Sequence, residues 1–199
     1  CGYYGVVDPR SELISRLLRA NAYPHTMDNS AYCQPYYLRH DYLHLMRGEV
    51  KPFLRIFYNQ MAAMQDRETY TQWEHYFSVV HKSHEEAWFL KTILWMLYIA
   101  DGDTVRLGNG IPRAWMQPGM RIAVKGLMTE FGKLSLEIVP EKDCCSCTFS
   151  IERQAAKVVI RLPDYLERKV VACTGGVYDP ATESVSVSVF QRSVTVYFK

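Results

Sequence analysis

Apolar residues recur at helical spacing through the first half of the chain. An amphipathic helix is predicted directly after Asp8, the expected N-cap, with Pro9 in its first turn. The apolar stripe of this helix consists of Leu13, Ile14, Leu17 and Leu18. Two more helices are predicted, one from about 35 to 46 and one starting at 50, where Pro52 is tolerated in the first turn.

A fourth predicted helix, from about 83 to 100, is apolar on nearly every side and is expected to be buried. Ser83 and Glu86 match the S-x-x-E capping box at its start, and Gly102 suits a left-handed cap after its end. The apolar run is interrupted by Lys91 and is shorter than the roughly 20 residues that a membrane span needs, so no membrane segment is predicted.

Beyond residue 103 the pattern changes from helical spacing to alternation. About eight short segments alternate apolar and polar residues or are rich in β-branched residues, and Gly, Pro, Asp and Asn separate them. No helix is predicted between them, so we expect an antiparallel sandwich. The sequence therefore predicts an α+β protein in two parts: a helical part at 1–103, a turn-rich linker at 104–118 and an antiparallel β-sandwich at 119–199.

The composition is typical of a globular protein, with 48% hydrophobic and 22% charged residues among 199. The formal net charge is only +2, and neither half has the basic excess expected for binding to nucleic acid or an anionic membrane. We therefore expect neither of these partners. The chain opens on Cys1 with neither an initiator Met nor a signal-like leader, which favours the C-terminal part of a longer polypeptide.

Six cysteines are scattered along the chain and do not resemble the disulfide framework of a small secreted protein, so the compartment stays open. Three of them lie in the sequence CCSC at 144–147, and together with Cys173 they could supply four thiolates to zinc. The C-x₂-C pairs of zinc ribbons are missing, which favours ordinary strand cysteines. We expect no metal and no cofactor.

Candidate chemistry is concentrated in TQWEHYFSVVHKSHEEAWFL, residues 71–90, which contains three histidines, three glutamates and two tryptophans. Glu74 lies in a predicted loop between Trp73 and His75. An indole can support the apolar face of a sugar ring while a carboxylate and an imidazole reach its hydroxyls. A glutamate among aromatic residues is also commonly a solvated loop acid or the partner of an arginine, and both interpretations remain open.

The histidines of this segment permit a second interpretation. His81 and His84 are three residues apart and could face one metal ion from a helix, but neither H-E-x-x-H nor its inverse is present. A histidine that contacts substrate, or a buried histidine whose hydrogen bonds are made within the core, is favoured over a metal ligand. Trp88 is a candidate for substrate contact, whereas Trp95 is expected to pack in the core.

Three motifs and their order carry a resemblance to a known family. They are TQWEH at 71–75, HKSHEEAWF at 81–89 and MTEFGKLSLEI at 128–138. This order resembles the C-terminal end of the six-hairpin, (α/α)6-barrel glycosidases, in particular the inverting α-L-rhamnosidases. In that pattern a W-E motif supplies the general base, an S-x-x-H-type segment opens the next inner helix, and the third motif opens a terminal sandwich. The similarity covers almost the whole chain in order.

The resemblance implies that the helical part belongs to an (α/α)6 barrel and that Glu74 is the general base. It also implies that Trp73, His75, His84 and Trp88 contact a carbohydrate substrate. An inverting glycosidase needs a second carboxyl group roughly 6.5–9.5 Å from the base. In the family this general acid and most of the helical hairpins lie upstream, so we expect the missing N-terminal part of the same polypeptide as a partner and no activity without it.

Two other functions compete with this one. The first is a non-catalytic carbohydrate- or protein-binding module, in which the aromatic-rich helices present a binding face. The second is a metal-dependent hydrolase that uses His81 and His84.

Overall fold

The structure, a computed structural model, describes residues 2–21, 39–73, 83–153, 155–187 and 191–199. The chain separates into two compact units, Cys1–Met96 and Leu97–Lys199. The first unit is helical and the second is built from strands. This confirms the coarse prediction of a mixed α+β protein.

Four helices are present in the described residues: α1 (Glu12–Ala20), α2 (His40–Met46), α3 (Val50–Met64) and α4 (Ser83–Leu97). All four predicted helical segments are therefore found, although residues 22–38, with the predicted start of α2, lie outside the described residues. None of the described helices is long and apolar enough to cross a membrane.

The start of α1 differs from the prediction. Its N-cap is Ser11, whose side chain accepts a hydrogen bond from the Ile14 N–H at 3.4 Å. Asp8 forms a turn before the helix, where its carboxylate accepts from the Arg10 N–H at 2.9 Å and its carbonyl oxygen from the Ser11 N–H at 3.0 Å. Aspartate and serine are both good N-cap residues. Because the Asp8 carboxylate bonds within the preceding turn, Ser11 accepts the hydrogen bond from the first turn of the helix.

Apolar contacts connect the elements of the first unit. Ile14 and Leu18 of α1 pack with Leu43 of α2. Between α3 and α4, the rings of Phe57 and Phe89 stack with centroids 5.8 Å apart. Of the predicted apolar stripe of α1, Ile14 and Leu18 are therefore buried, whereas Leu13 is 61% exposed.

The helix predicted to reach residue 100 ends at Leu97, and Tyr98–Asp101 forms a strand instead. This strand pairs with Thr104–Leu107 through a two-residue hairpin, in which Asp101 faces Thr104. Gly102 has a positive φ of 59°, as predicted, but it serves the hairpin rather than a helix cap. An apolar run suits both helix and strand, so the sequence pattern alone does not locate this boundary.

The second unit consists of two five-stranded sheets, in the orders β1-β2-β6-β9-β8 and β3-β4-β5-β10-β7. The strands are β1 (Tyr98–Asp101), β2 (Thr104–Leu107), β3 (Ile122–Thr129), β4 (Gly132–Pro140), β5 (Cys144–Ile151), β6 (Lys157–Arg161), β7 (Val170–Thr174), β8 (Val177–Asp179), β9 (Ser184–Val187) and β10 (Ser193–Phe198). The pairings are antiparallel except that β2 and β6 are parallel.

One apolar core lies between the two sheets. Val105 and Ile160 of the first sheet and Leu136 and Val196 of the second belong to the same cluster and are at most 2% exposed. Along β4 and β5 every second residue is buried, so apolar side chains alternate with outward polar ones. The predicted two-sheet packing is thus confirmed.

The predicted linker at 104–118 differs from what the structure shows. It contains β2, which is paired on both sides, and a short 3₁₀-helix at Arg113–Met116. Ile111 and Met116 are buried in the sandwich core. The boundary between the two units lies earlier, between Met96 and Leu97.

Candidate functional site

The segment that leads to Glu74 is an ordered loop after α3. The Trp73 N–H donates to the Met64 carbonyl oxygen at 2.7 Å, and Gln65 and Gln72 form an antiparallel bridge. Inside the loop, the Asp66 carboxylate accepts from the Thr69 N–H at 2.8 Å. Trp73 is therefore held at the C-terminal end of α3. Residues 74–82, with Glu74, His75 and His81, lie outside the described residues, and their assigned roles stay predictions.

His84 lies in the first turn of α4, on the other side of the segment that contains Glu74. Its side chain is 41% exposed, and its Nε2 lies 3.3 Å from Oε1 of Glu85. The Glu85 side chain is only 2% exposed. His84 is thus accessible to a solute, whereas the carboxylate beside it is buried.

Trp88 contacts other aromatic rings and a buried cation. Its ring centroid lies 6.2 Å from that of Trp95 and 5.7 Å from that of Tyr3. The guanidinium carbon of Arg39 lies 4.3 Å from the Trp88 centroid and 4.6 Å from the Trp95 centroid. Cation–π attraction therefore binds Arg39 to both indoles. Trp88, predicted to contact substrate, also has a structural role that its sequence position did not indicate.

Arg39 is paired with Asp41 beneath these rings. Arg39 Nη2 lies 2.6 Å from Asp41 Oδ2, and the two side chains are 2% and 0% exposed. The Thr92 hydroxyl of α4 lies 3.2 Å from the same carboxylate oxygen and 2.9 Å from the Trp88 carbonyl oxygen. We call Tyr3, Arg39, Asp41, Trp88, Thr92 and Trp95 the Arg39 cluster.

The Arg39 cluster does not satisfy all of its hydrogen-bonding groups. Arg39 Nε and Nη1 and Asp41 Oδ1 are buried and have no hydrogen-bond partner among the described residues. Burial lowers the pKa of Arg39 and raises the pKa of Asp41, and the attraction between the two opposes both shifts. An acid with no exposed surface cannot reach a water molecule or a substrate, so Asp41 is not a general base in this arrangement.

Sequence reasoning missed Arg39, Asp41 and Tyr3 as members of this site. One signal was available on α4, where Trp88, Thr92 and Trp95 follow one another at helical spacing and so share a face. Lys91 is exposed on the same helix, and its Nζ lies 5.5 Å from the Trp88 centroid and 5.7 Å from the Tyr3 centroid. Nothing in the pattern indicated that Tyr3, near the start of the chain, would meet α4.

The clustered cysteines lie in strands of the sandwich. Cys145 and Cys147 of β5 point into the core, where burial raises the pKa of both thiols, that of Cys145 to about 12. Cys173 lies in β7, the second strand away from β5 in the same sheet. Within the described ranges no group of three or more His, Cys, Asp or Glu side chains is arranged to hold a metal ion.

No protein-family model matches the chain, and no curated protein is significantly similar to it. Any functional assignment therefore depends on the residues and their geometry.

Proposed function

We propose that the chain is part of an inverting glycoside hydrolase of the six-hairpin type, in which Glu74 is the general base. The observed order of elements supports this proposal, because a helical unit precedes a two-sheet sandwich. This is the order of the family whose motifs the sequence resembles. Under the proposal α1 to α4 belong to an (α/α)6 barrel.

The observation that carries the proposal is the position of the residues on both sides of Glu74. Trp73 is held at the C-terminal end of α3, and His84 lies exposed in the first turn of α4. The proposal assigns Glu74 to the connection between these two helices, and such connections line the mouth of a helical barrel. A carboxylate there, next to an indole, is suited to take a proton from water beside a sugar ring.

The remaining site residues are assigned by the same proposal. His84 is assigned to a sugar hydroxyl because a neutral or charged imidazole can donate a hydrogen bond. Trp73 and the half-buried Trp88 are assigned to the apolar face of the sugar, and His75 to a hydroxyl next to Glu74.

The general acid is proposed to lie in another part of the polypeptide. Among the carboxylates described in the helical unit, Asp41 and Glu85 are 0% and 1% exposed, so neither is assigned this role. The resemblance places the acid N-terminal to this segment.

The test compares Glu74→Gln with Glu68→Gln in the full-length gene product, using aryl glycosides. Glu68 is an exposed loop carboxylate six positions earlier and serves as the matched control. Loss of a general base lowers turnover by about 10²–10⁴-fold, so we expect this loss for Glu74→Gln alone. In Glu74→Ala, added azide should displace the aryl group without a base and yield a glycosyl azide of inverted configuration. Equal turnover of the two Gln variants contradicts the proposal.

A second candidate is a non-catalytic carbohydrate-binding module. The burial of Asp41 and Glu85 favours this second function, because buried carboxylates beside the aromatic rings do not act as a catalytic acid or base. This function predicts a saccharide affinity, measured by calorimetry, that is unchanged in Glu74→Gln and is accompanied by no turnover of the full-length protein.

A further inference from the structure

A shallow hollow lies on the outer face of the sheet that contains β3, β4 and β5. Its volume is about 240 Å³. Its floor consists of small side chains, Ala123, Ser135, Thr148 and Ser150, while Lys125 and Glu137 are longer. In the strand register Ser135 faces Ser150 and Glu137 faces Thr148, which brings these polar groups together.

An irregularity in β3 contributes to the shape of the hollow. The register between β3 and β4 shifts between Val124 and Leu127. Gly126 in this bulge has a φ of 65°, and its N–H donates to Ser135 Oγ at 3.1 Å. Bulges bend a strand and redirect side chains, and Lys125 lies beside Gly126 in this bulge.

The charges around the hollow are unbalanced. Glu137 is paired with Arg121, with Nε and Oε1 2.5 Å apart. Lys125, at the hollow, has no ion-pair partner in the described part of the chain. Lys133, outside the lining, has the Glu152 carboxylate 2.8 Å from its backbone nitrogen. The face therefore has unpaired positive charge beside a floor of hydroxyl groups.

The chemistry of the lining selects the kind of ligand. Serine and threonine hydroxyls both donate and accept hydrogen bonds, which matches the hydroxyls of a sugar. The one aromatic side chain of the lining, Phe149, is 5% exposed because it belongs to the core, so ring stacking is not available to a ligand. Neutral sugars and single-stranded nucleic acids depend on such stacking, whereas an anionic ligand gains charge-assisted hydrogen bonds from lysine.

We infer that this hollow binds a uronate unit of an acidic polysaccharide, with Lys125 on the carboxylate and Ser135, Thr148 and Ser150 on the hydroxyls. The site lies in the sandwich unit and does not depend on the proposed role of Glu74. It would hold an acidic glycan to the protein without acting on its bonds.

The test measures binding of polygalacturonate fragments to the whole chain by calorimetry, with dextran fragments of equal length as the neutral comparison. We expect binding of polygalacturonate only, weakened by added salt because the Lys125 contact is exposed. Lys125→Met should weaken it about tenfold, the size of one exposed charge-assisted hydrogen bond. Lys157→Met removes an exposed lysine from β6 of the other sheet and should leave affinity unchanged.

Three results would overturn this inference: no binding, equal binding of dextran, or equal weakening by Lys157→Met and Lys125→Met. Equal affinity for a single-stranded DNA oligonucleotide would also overturn it, because that result indicates unspecific attraction to polyanions. Thr148→Val, which keeps the shape and removes the hydroxyl, is a second variant and should weaken binding without altering the fold. The Glu74 variants are tested by turnover of aryl glycosides and the Lys125 variant by binding of polygalacturonate, so failure of this inference and failure of the proposed function are distinguishable.

Discussion

Replacing Asp41 with Asn keeps the shape of a fully buried side chain and removes the counter-charge of Arg39. The two groups are 2.6 Å apart and at most 2% exposed. Loss of one partner of a buried ion pair costs about 3–5 kcal/mol, because the other charge stays desolvated. The Thr92 hydroxyl at 3.3 Å and the two indoles still stabilise Arg39. We therefore expect a loss of about 3 kcal/mol in the free energy of unfolding, the lower end of this range.

Urea unfolding followed by tryptophan fluorescence measures this loss in the helical unit. The measurement is made in a Trp115→Phe background, since Trp115 belongs to the sandwich unit and the other three indoles to the helical one. Glu12→Gln is the control, because Glu12 is 64% exposed and its pairs with Arg16 and Arg19 are on the surface. The unfolding midpoint should not change in this control.

A double variant separates loss of charge balance from loss of packing. Arg39→Met in addition to Asp41→Asn removes the unpaired cation, so we expect most of the lost stability to return. A change below about 0.5 kcal/mol in Asp41→Asn alone, the range of an ordinary surface substitution, would refute the reasoning.

Two further predictions concern the sandwich unit. Burial alone would raise the pKa of Asp164, but hydrogen bonds from the Arg168 side chain and backbone lower it. A carboxyl whose folded-state pKa lies below its unfolded value stabilises the fold above the unfolded value, about 3.9, and loses this contribution as pH falls through the folded value. Asp164→Asn should therefore reduce the loss of unfolding free energy as the pH falls into the acid range, measured by near-ultraviolet circular dichroism. An unchanged pH dependence contradicts the stabilising role of the Asp164 carboxylate. Gly102 and Gly175 both have positive φ, but an added Cβ meets open space at Gly102 and lies 2.2 Å from the Ser193 carbonyl oxygen at Gly175. Gly102→Ala should lower the free energy of unfolding by about 1–2 kcal/mol, and Gly175→Ala should lower it clearly more, as measured by thermal unfolding. Equal losses would show that the positive φ alone, and not the contact with Ser193, determines the cost of an added Cβ.

Several features could be predicted from the sequence because they depend on neighbouring residues only. The apolar stripe of α1, with Ile14 and Leu18 buried, follows from helical spacing. The inward positions of β4 and β5 follow from alternation. The position of Trp73 in a loop after α3 was also predicted, whereas the role of Glu74 stays a prediction, since it lies outside the described residues.

Other features depend on residues far away in the chain. Tyr98–Asp101 is a strand because it pairs with β2, which in turn pairs in parallel with β6. The same apolar residues would also suit a longer helix, so only this pairing decides their conformation. The contacts of Trp88 likewise come from Tyr3 and Arg39, in two separate segments.

The sequence by itself determined the two-part order, the burial of Ile14 and Leu18 on α1 and the inward positions of β4 and β5, because the period of apolar residues is a local property of the chain. The tertiary structure decided where α4 ends, which strands are neighbours and that Arg39 and Asp41 are buried together. A charge is stable away from water only when a partner meets it there, and that partner is brought by folding rather than by sequence spacing.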